Sequence, residues 1–168
     1  MNIREIKTSD AENFIDLSVQ VEASSSYMLW ETGERKIQLE DQRKMIKNLG
    51  DSNNSTILVA ENNNNEIVGY LMAIGGNSNR NKHSVYIVIG ILKEYRGQGV
   101  GFKLFEYLEE WAKKHFVHRL ELTVVTRNEP GIALYNRVGF ETEGIKRDSL
   151  LIDGEYVDEY YMSKLIKV

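Results

Sequence analysis

Residues 85–115 constrain the fold of this chain most, because a buried strand, a glycine-rich loop and an amphipathic helix follow one another directly. Residues 85–92 are almost wholly apolar and rich in β-branched side chains, as is typical of a strand covered on both faces. The helix after the loop carries apolar side chains at helical spacing, and these are Leu104, Phe105, Leu108, Trp111, Ala112 and His115. A strand covered on both faces requires helices on either side of its sheet, so this unit indicates an α/β fold.

The loop between this strand and this helix, residues 96–101, reads Arg-Gly-Gln-Gly-Val-Gly. Glycines at the start of a helix leave backbone N–H groups unobstructed by side chains, and the helix N-terminus carries a partial positive charge. Lys93, Arg96 and Lys103 add positive charge around the loop. The loop therefore predicts a binding site for a phosphate-bearing cofactor.

Two common nucleotide-binding loops do not fit these residues. A P-loop requires Lys followed by Ser or Thr after the last glycine, whereas Phe102 follows Gly101 here. A dinucleotide-binding loop requires Gly-x-Gly-x-x-Gly, and when Gly97 and Gly99 take the first two positions the third falls on Phe102. The phosphate ligand therefore belongs to another class.

The rest of the chain alternates between helical and strand patterns and predicts one mixed α/β domain over residues 1–168. We expect a central mixed sheet of about seven strands with about four helices, antiparallel at both ends of the sheet. The strands at residues 85–92 and 119–126 should be parallel neighbours joined by a right-handed helical crossover. The other predicted elements are strands at residues 2–7, 56–60, 67–74, from Phe140 and at 156–166, a helix begun by a capping box of Ser9 and Glu12, and helices at 34–49 and between Asn128 and Gly139.

Composition and charge exclude several classes of function. The net charge of -4 argues against a nucleic-acid partner that needs broad neutralisation of phosphates. The chain has no cysteine, which excludes disulfides, thiolate nucleophiles and cysteine metal sites, and none of its three histidines is predicted to bind a metal. The first residues lack a signal-peptide pattern and no stretch reaches the length of a membrane span, so we expect a cytoplasmic protein with no membrane partner.

Two segments together resemble the GNAT family of acetyl-CoA-dependent N-acetyltransferases. Residues 96–101 are similar to the family's pyrophosphate loop, Arg/Gln-x-x-Gly-x-Gly/Ala. Residues that resemble the family's later segment, which runs from an asparagine to a Gly-Phe pair, are Asn128, Ala133, Leu134, Tyr135, Gly139 and Phe140. The resemblance covers residues 67–140, and residues 143–162 are similar to the branch that includes ribosomal-protein and spermidine acetyltransferases.

The resemblance implies a GNAT-type acyl-CoA N-acyltransferase fold in which the central strand separates from its parallel neighbour and binds the pantetheine arm of acetyl-CoA. Backbone N–H groups of residues 97–102 would bind the pyrophosphate, and an N–H near Ile91 would polarise the thioester oxygen. Residues implied to contact the cofactor are Ile89, Gly90, Ile91, Arg96, Gly97, Gln98, Gly99, Val100, Gly101, Phe102, Asn128 and Tyr135.

Three of these residues also have a purely structural interpretation. Gly90 either allows close approach of the cofactor or is a glycine needed for packing within the sheet. Asn128 is a cofactor contact, a helix cap, or both. Tyr135 resembles the family's general acid, which protonates the departing CoA thiolate, and its alternative is a core tyrosine.

The general base is less well defined by the sequence. The acceptor amine must lose a proton, because an ammonium group is not a nucleophile. Some relatives carry a glutamate five residues before the asparagine, where this chain has Thr123, and Glu121 lies on the same strand face two residues earlier. Glu121 and Glu31 are the candidate bases, while the alternative for Glu121 is a surface carboxylate paired with Arg119.

The resemblance implies transfer of an acetyl group to a primary amine by direct attack in a ternary complex. The acceptor could be a small amine, a polyamine, an amino acid or a protein N-terminus. Residues 24–34 and 151–158 should line its site, and their carboxylates favour a cationic acceptor. The alternatives are a non-catalytic acyl-CoA-binding or sensor module and a thioester hydrolase. The exposed edge of the terminal hairpin provides a surface through which a homodimer could form.

Overall fold

Seven strands form one mixed sheet in the computed structural model, which describes residues 1–167. The strand order is β1-β2-β3-β4-β5-β7-β6, and four helices pack on the two faces. The elements are β1 Asn2–Glu5, α1 Ala11–Ser24, α2 Leu39–Gly50, β2 Thr56–Glu61, β3 Ile67–Gly75, β4 Ser84–Ile91, α3 Val100–Lys114, β5 Arg119–Val125, α4 Glu129–Arg137, β6 Glu141–Ile152 and β7 Glu155–Leu165. The predicted mixed α/β fold, with seven strands and four helices, is confirmed.

The central pair β4 and β5 is parallel, whereas every other neighbouring pair in the sheet is antiparallel. Helix α3 connects the two parallel strands, as predicted from the pattern of residues 85–126. The terminal hairpin turns at Asp153 and Gly154, which both adopt positive φ angles. The sheet is therefore antiparallel at both ends and parallel only at its centre.

Two hydrophobic cores lie on opposite faces of the sheet. The first packs α3 against the sheet through Leu104, Phe105 and Leu108, and the second packs α1 through Phe14 and Leu17. Strand β4 contributes to both cores, but its Tyr86 is exposed because α1 and α2 cover β2, β3 and part of β4. The prediction that this strand is covered on both faces holds only for its C-terminal part.

Two predicted helix starts are wrong. The second helix begins at Leu39 instead of residue 34, because Glu31 and Glu34 close a turn around Gly33, which has a φ of 76°. Ser9 does not form the predicted capping box with Glu12. A short 3₁₀ turn precedes α1, and the Asp10 carboxylate accepts a hydrogen bond of 2.7 Å from the backbone N–H of Lys7. At both places a short turn forms where the sequence predicts the first residues of a helix.

The glycine in the central strand makes room for an aromatic ring. Gly90 pairs with Tyr70 on β3, and a Cβ atom at residue 90 would lie 2.6 Å from Cε1 of the Tyr70 ring. Tyr70 is buried, so its ring cannot move away at little cost. The packing interpretation of Gly90 is therefore supported by the geometry, while its contact with a cofactor stays a prediction.

We expect Gly90→Ala to lower the free energy of unfolding by about 1–3 kcal/mol, because the added methyl group overpacks the core against Tyr70. Chemical denaturation monitored by circular dichroism measures the change. Gly144→Ala on β6 is the matched control, since a Cβ there meets no atom within 4 Å. Equal stability of the two variants would contradict the packing role of Gly90.

Candidate active site

The two parallel strands separate after a short paired segment. β4 and β5 pair only at Ser84–Arg119, Val85–Leu120 and Tyr86–Glu121, although β4 continues to Ile91 and β5 to Val125. Within residues 1–167 no strand pairs with the edge of β4 that faces β5 beyond Tyr86. Unpaired backbone N–H and C=O groups at such an edge can bind an extended ligand as a strand would. The gap between β4 and β5 is therefore a slot for a linear molecule.

A side-chain hydrogen bond closes the narrow end of this slot. The hydroxyl groups of Tyr86 on β4 and Thr123 on β5 lie 2.8 Å apart. Thr123, the residue two positions after Glu121 on the same face of β5, is thus engaged by Tyr86. The two polar side chains therefore mark the end of the slot, on the face that α1 and α2 leave open.

The glycine loop lies at the wide end of the slot. Gly97 and Gly99 have φ angles of 72° and 81°. Gly99, which directly precedes the first residue of α3, adopts the left-handed conformation. A Cβ at either glycine would meet no protein atom within 4 Å, so the backbone is open to a ligand. The first-turn N–H groups of α3 have no partner within their helix. These residues fit a pyrophosphate group.

The third glycine of the loop has a packing role. A Cβ at Gly101 would lie 2.7 Å from Cδ2 of Leu134, so the glycine allows α3 to approach α4 closely. The next residue, Phe102, packs against Arg137 of α4. The guanidinium carbon of Arg137 lies 4.9 Å from the centroid of the Phe102 ring. The end of the loop therefore anchors α3 to α4 beside the predicted phosphate site.

Arg96 connects the end of β4 to the end of α1. Its guanidinium group donates hydrogen bonds to the backbone oxygen of Ile91 at 3.0 Å, to the backbone oxygen of Ser24 at 3.2 Å and to Oγ of Ser24 at 3.0 Å. Gln98 similarly donates to the backbone oxygen of Glu94 at 2.6 Å. Both side chains hold the loop in place, and their predicted contacts with a cofactor stay predictions.

The segment between α1 and α2, residues 25–38, crosses the slot. Ser24 at its start contacts Arg96 after β4, and the Tyr27 hydroxyl donates a 3.4 Å hydrogen bond to the backbone oxygen of Arg127 after β5. Glu31 in the same segment is exposed, and its backbone N–H donates to the Glu34 carboxylate at 3.0 Å. The prediction that this segment lines the acceptor site is compatible with this course of the chain.

Tyr135 on α4 lies in the core on the α3 face of the sheet. Only 8% of its surface is exposed, and its ring packs edge-on against Phe105 at a centroid distance of 5.9 Å. Burial, with a smaller contribution from the phenol of Tyr86, raises the pKa of Tyr135 to about 12. Tyr135 is therefore protonated at neutral pH.

Asn128 is the N-cap of α4. Its side-chain oxygen accepts a hydrogen bond of 3.1 Å from the backbone N–H of Gly131, and Pro130 occupies the first turn of the helix. The capping interpretation of Asn128 is confirmed. Its position directly after β5 also brings it to the wide end of the slot, where a cofactor contact remains a prediction.

Glu121 lies at the point where β4 and β5 separate. Its carboxylate accepts a 2.7 Å hydrogen bond from Nε of Arg119, and Arg119 also binds Glu143 at 2.7 Å. These two carboxylates raise the pKa of Arg119, Glu143 more strongly than Glu121. An open cavity of about 400 Å³ lies here, lined in part by His83, Tyr86 and Glu121. The predicted pairing with Arg119 is present, in a position from which Glu121 still faces the cavity.

The sequence patterns missed an ion pair with a buried carboxylate on the α1 face. Glu22 of α1 is only 4% exposed and pairs with Arg35 of the segment between α1 and α2. One signal was available, because helical spacing from Phe14 and Ser18 places Glu22 on the buried stripe of α1.

Two further expectations concern metals and membranes. Among residues 1–167, no three His, Asp or Glu side chains group as potential metal ligands. In the same part of the chain, no helix combines the length and the apolar character needed to cross a membrane.

The family profile described as Acetyltransferase (GNAT) family matches residues 20–140 of this chain. L-amino acid N-acetyltransferase AaaT from Escherichia coli K12 is 34% identical over 104 residues, which cover 60% of this chain and 62% of that protein. The E. coli K12 [ribosomal protein uS5]-alanine N-acetyltransferase is 31% identical over 45% of this chain and 40% of its own length. This chain therefore aligns with less than two thirds of the length of each of these relatives.

Solved structures share the complete fold. A GNAT-family acetyltransferase from Streptococcus pneumoniae superposes with a TM-score of 0.94 at 28% identity, over 99% of both chains. The acetyltransferase yncA from Salmonella typhimurium, determined with its cofactor acetyl-CoA, superposes with a TM-score of 0.86 at 17% identity, over 99% of this chain and 94% of that one. At that identity, the second likeness supports the fold alone.

We expect Gly99→Glu to abolish the stabilisation of this protein by acetyl-CoA, because the new carboxylate repels the pyrophosphate at the start of α3. A ligand at 100 times its dissociation constant stabilises the wild type by about 2.7 kcal/mol, which thermal unfolding detects. Gly154→Glu is the matched control, since Gly154 also has a positive φ of 79° and open surroundings. If both variants respond to acetyl-CoA equally, the loop is not the pyrophosphate site.

Proposed function

This chain belongs to the acetyltransferase (GNAT) family, and we propose that it transfers an acetyl group from acetyl-CoA to a primary amine. The observation that carries this proposal is the separation of β4 and β5 after three residue pairs, with the glycine loop at the wide end of the slot. The enzyme names of the curated relatives favour catalysis over the alternative of a non-catalytic acyl-CoA sensor.

The slot supports a specific placement of the cosubstrate. Backbone groups of Ile89, Gly90 and Ile91 would pair with the amides of the pantetheine arm, since this edge of β4 lies opposite no strand among the residues described. Backbone N–H groups from Gly97 to Phe102 would bind the pyrophosphate. The thioester would then lie between the glycine loop and the Tyr86–Thr123 hydrogen bond.

The reaction needs no covalent enzyme intermediate. The lone pair of the amine nitrogen attacks the thioester carbonyl carbon, the C–N bond forms, and the C–S bond breaks with its electron pair passing to sulfur. A backbone N–H near Ile91 would stabilise the negative charge on the carbonyl oxygen. Tyr135 would donate its proton to the sulfur as negative charge develops there, and a base would take the proton of the amine.

Glu121 is the better supported of the two candidate bases. It lies at the narrow end of the slot and faces the open cavity beside Tyr86. Glu31 lies on the exposed segment between α1 and α2, where its backbone binds Glu34. A base must approach the acceptor nitrogen directly or through one water molecule, which favours Glu121.

The acceptor is proposed to carry a primary α-amine. The names of the two E. coli relatives give an L-amino acid and a ribosomal-protein alanine as acceptors. Each of these acceptors can present a primary α-amine. A cationic acceptor is less well supported, because Glu155 pairs with Arg127 at 2.9 Å and Asp158 accepts the backbone N–H of Asp148 at 2.8 Å. These carboxylates of the terminal hairpin already have partners.

Association of two copies and a cytoplasmic location remain part of the proposal. The β6–β7 hairpin forms one edge of the sheet and exposes large apolar side chains, which supports a homodimer through this hairpin. The exposed apolar residues on it are Ile145, Leu151, Tyr156, Tyr161 and Leu165.

We expect Tyr135→Phe to lower kcat by about 100-fold or more, because a general acid contributes that much, while KM for acetyl-CoA stays unchanged. Initial-rate assays of CoA release measure both constants. The matched control is Tyr107→Phe on α3, because the side chain of Tyr107 is exposed at the surface whereas that of Tyr135 is buried. A kcat within about threefold of the wild type would remove Tyr135 from the mechanism, because general acid catalysis is worth far more than that.

The pH profile gives a second check on Tyr135. Its raised pKa of about 12 means that the proton is bound below this pH and lost only above it. The wild-type kcat should therefore not fall between about pH 7 and 10 through ionisation of Tyr135. A decline in that range that disappears in Tyr135→Phe would contradict the raised pKa of Tyr135, although it would still assign the proton donor to this residue.

We expect Glu121→Gln to lower kcat/KM for the amine by about 100-fold at neutral pH, because an amide cannot accept the proton. Glu31→Gln tests the second candidate in the same assay. Glu110→Gln is the control, since Glu110 is exposed on α3 and paired with Lys113. A loss confined to Glu31→Gln would transfer the role to Glu31.

A further inference from the structure

An ion pair between a buried carboxylate and a partly exposed guanidinium lies on the sheet face opposite Tyr135. Glu22 of α1 is almost fully buried, and one of its carboxylate oxygens accepts a hydrogen bond from Arg35. The guanidinium carbon of Arg35 lies 5.5 Å from the centroid of the Trp30 ring, a cation–π contact. Nε of Arg35 is buried without a hydrogen-bond partner. The pair is held by the segment that crosses the slot.

Tyr70 connects this pair to the slot. Only 3% of its surface is exposed, and burial raises its pKa to about 12, while Arg35 lowers it and Glu22 raises it by smaller amounts. The Tyr70 ring lies against Gly90 of β4 and packs edge-on against Phe14 of α1, at a centroid distance of 5.2 Å. Tyr70 therefore connects α1, the helix that carries Glu22, to β4.

Stability alone does not explain a charged pair at this place. Removing the Glu22 carboxylate from water is costly, and well-packed apolar residues at such positions are often equally stable or more stable. The Arg35 Nε–H without a partner adds a further cost, because a buried donor loses its hydrogen bond to water. The arrangement therefore favours a role in binding.

The chemistry of the pair matches a carboxylate. Arg35 has five N–H donors, and its guanidinium fork suits a carboxylate. Glu22 accepts from one nitrogen of this guanidinium, and Nε has no partner. The carboxylate of an α-amino acid can accept hydrogen bonds from the N–H groups that Glu22 leaves free. A polyamine offers no such acceptor, and a protein N-terminus presents a neutral amide instead of the carboxylate.

We propose that the acceptor is a free α-amino acid whose α-carboxylate binds the guanidinium group of Arg35. This assignment rests on the proposed acetyltransferase function and names the acceptor class of that same site. Arg35 is then a specificity-determining residue, held in place by Glu22 and by the ring of Trp30. Arg35 and Glu22 take no part in the proton transfers assigned to Tyr135 and Glu121.

The test compares matched acceptors that differ only in the carboxylate. Wild-type protein and acetyl-CoA are assayed with L-leucine, L-leucinamide and 3-methylbutylamine, and with the corresponding sets for L-methionine and L-phenylalanine. Product is measured by mass spectrometry, and kcat/KM is determined for each acceptor. The wild type should prefer at least one free amino acid over its amide and its decarboxylated amine by about 10-fold or more, as a charge-assisted hydrogen bond predicts.

Variants separate recognition of the carboxylate from a structural role of Arg35. Arg35→Met should lower kcat/KM for the preferred amino acid by about 10- to 100-fold and leave the matched amine almost unchanged. Arg35→Lys keeps the charge but loses the fork, so it should give an intermediate value for the amino acid. Arg43→Met on α2 is the control, because Arg43 is exposed and paired with Glu40.

Three outcomes would overturn the inference, and each is distinct. Equal losses for amino acid and amine in Arg35→Met, at an unchanged stabilisation by acetyl-CoA, would reduce Arg35 to a structural residue. Acetylation of amines or amides without preference for the carboxylate would reject the amino-acid acceptor and leave the proposed function intact. Absence of product from every acceptor would overturn the proposed function as well. If Arg35→Met does not fold, the test uses Arg35→Lys instead. An unchanged ratio of kcat/KM for the amino acid to kcat/KM for the matched amine in that variant would then overturn the inference.

Discussion

The short parallel pairing of β4 and β5 is the constraint on which the rest of the structure depends. Three residue pairs hold the strands together, and beyond Tyr86 and Glu121 the backbones separate. A continuous parallel pairing would occupy the hydrogen-bonding edge of β4 and leave no room for a ligand. Because the pairing stops, the same strand can belong to the core through its side chains and to a binding site through its backbone.

The ends of the slot are held by contacts from different parts of the chain. Tyr86 and Thr123 share a hydrogen bond at the narrow end, while Arg96 joins β4 to the C-terminus of α1 at the wide end. Tyr27 reaches the backbone of Arg127 on the other side. These contacts fix the distance between the two strand ends with polar groups rather than with backbone pairing, which preorganises the slot.

Two buried tyrosines lie on opposite faces of the sheet beside this slot. Tyr135 lies with α3 and α4, and Tyr70 lies with α1 and α2. Burial raises the pKa of each to about 12, so both stay protonated at neutral pH. Under the proposed function, the Tyr135 face would serve the leaving group and the opposite face, where Arg35 lies, would bind the acceptor.

Local sequence patterns determined the strand–loop–helix unit, the cap at Asn128 and the hairpin at Asp153, because glycine, proline and side-chain caps act over a few residues. They also determined the fold class, since the order of elements admits few topologies. Only the tertiary structure decided that α2 begins at Leu39, that Gly90 accommodates Tyr70, and that Glu22 meets Arg35. Each of these depends on residues distant in sequence, whose contacts arise only when two faces of the sheet are covered by different helices.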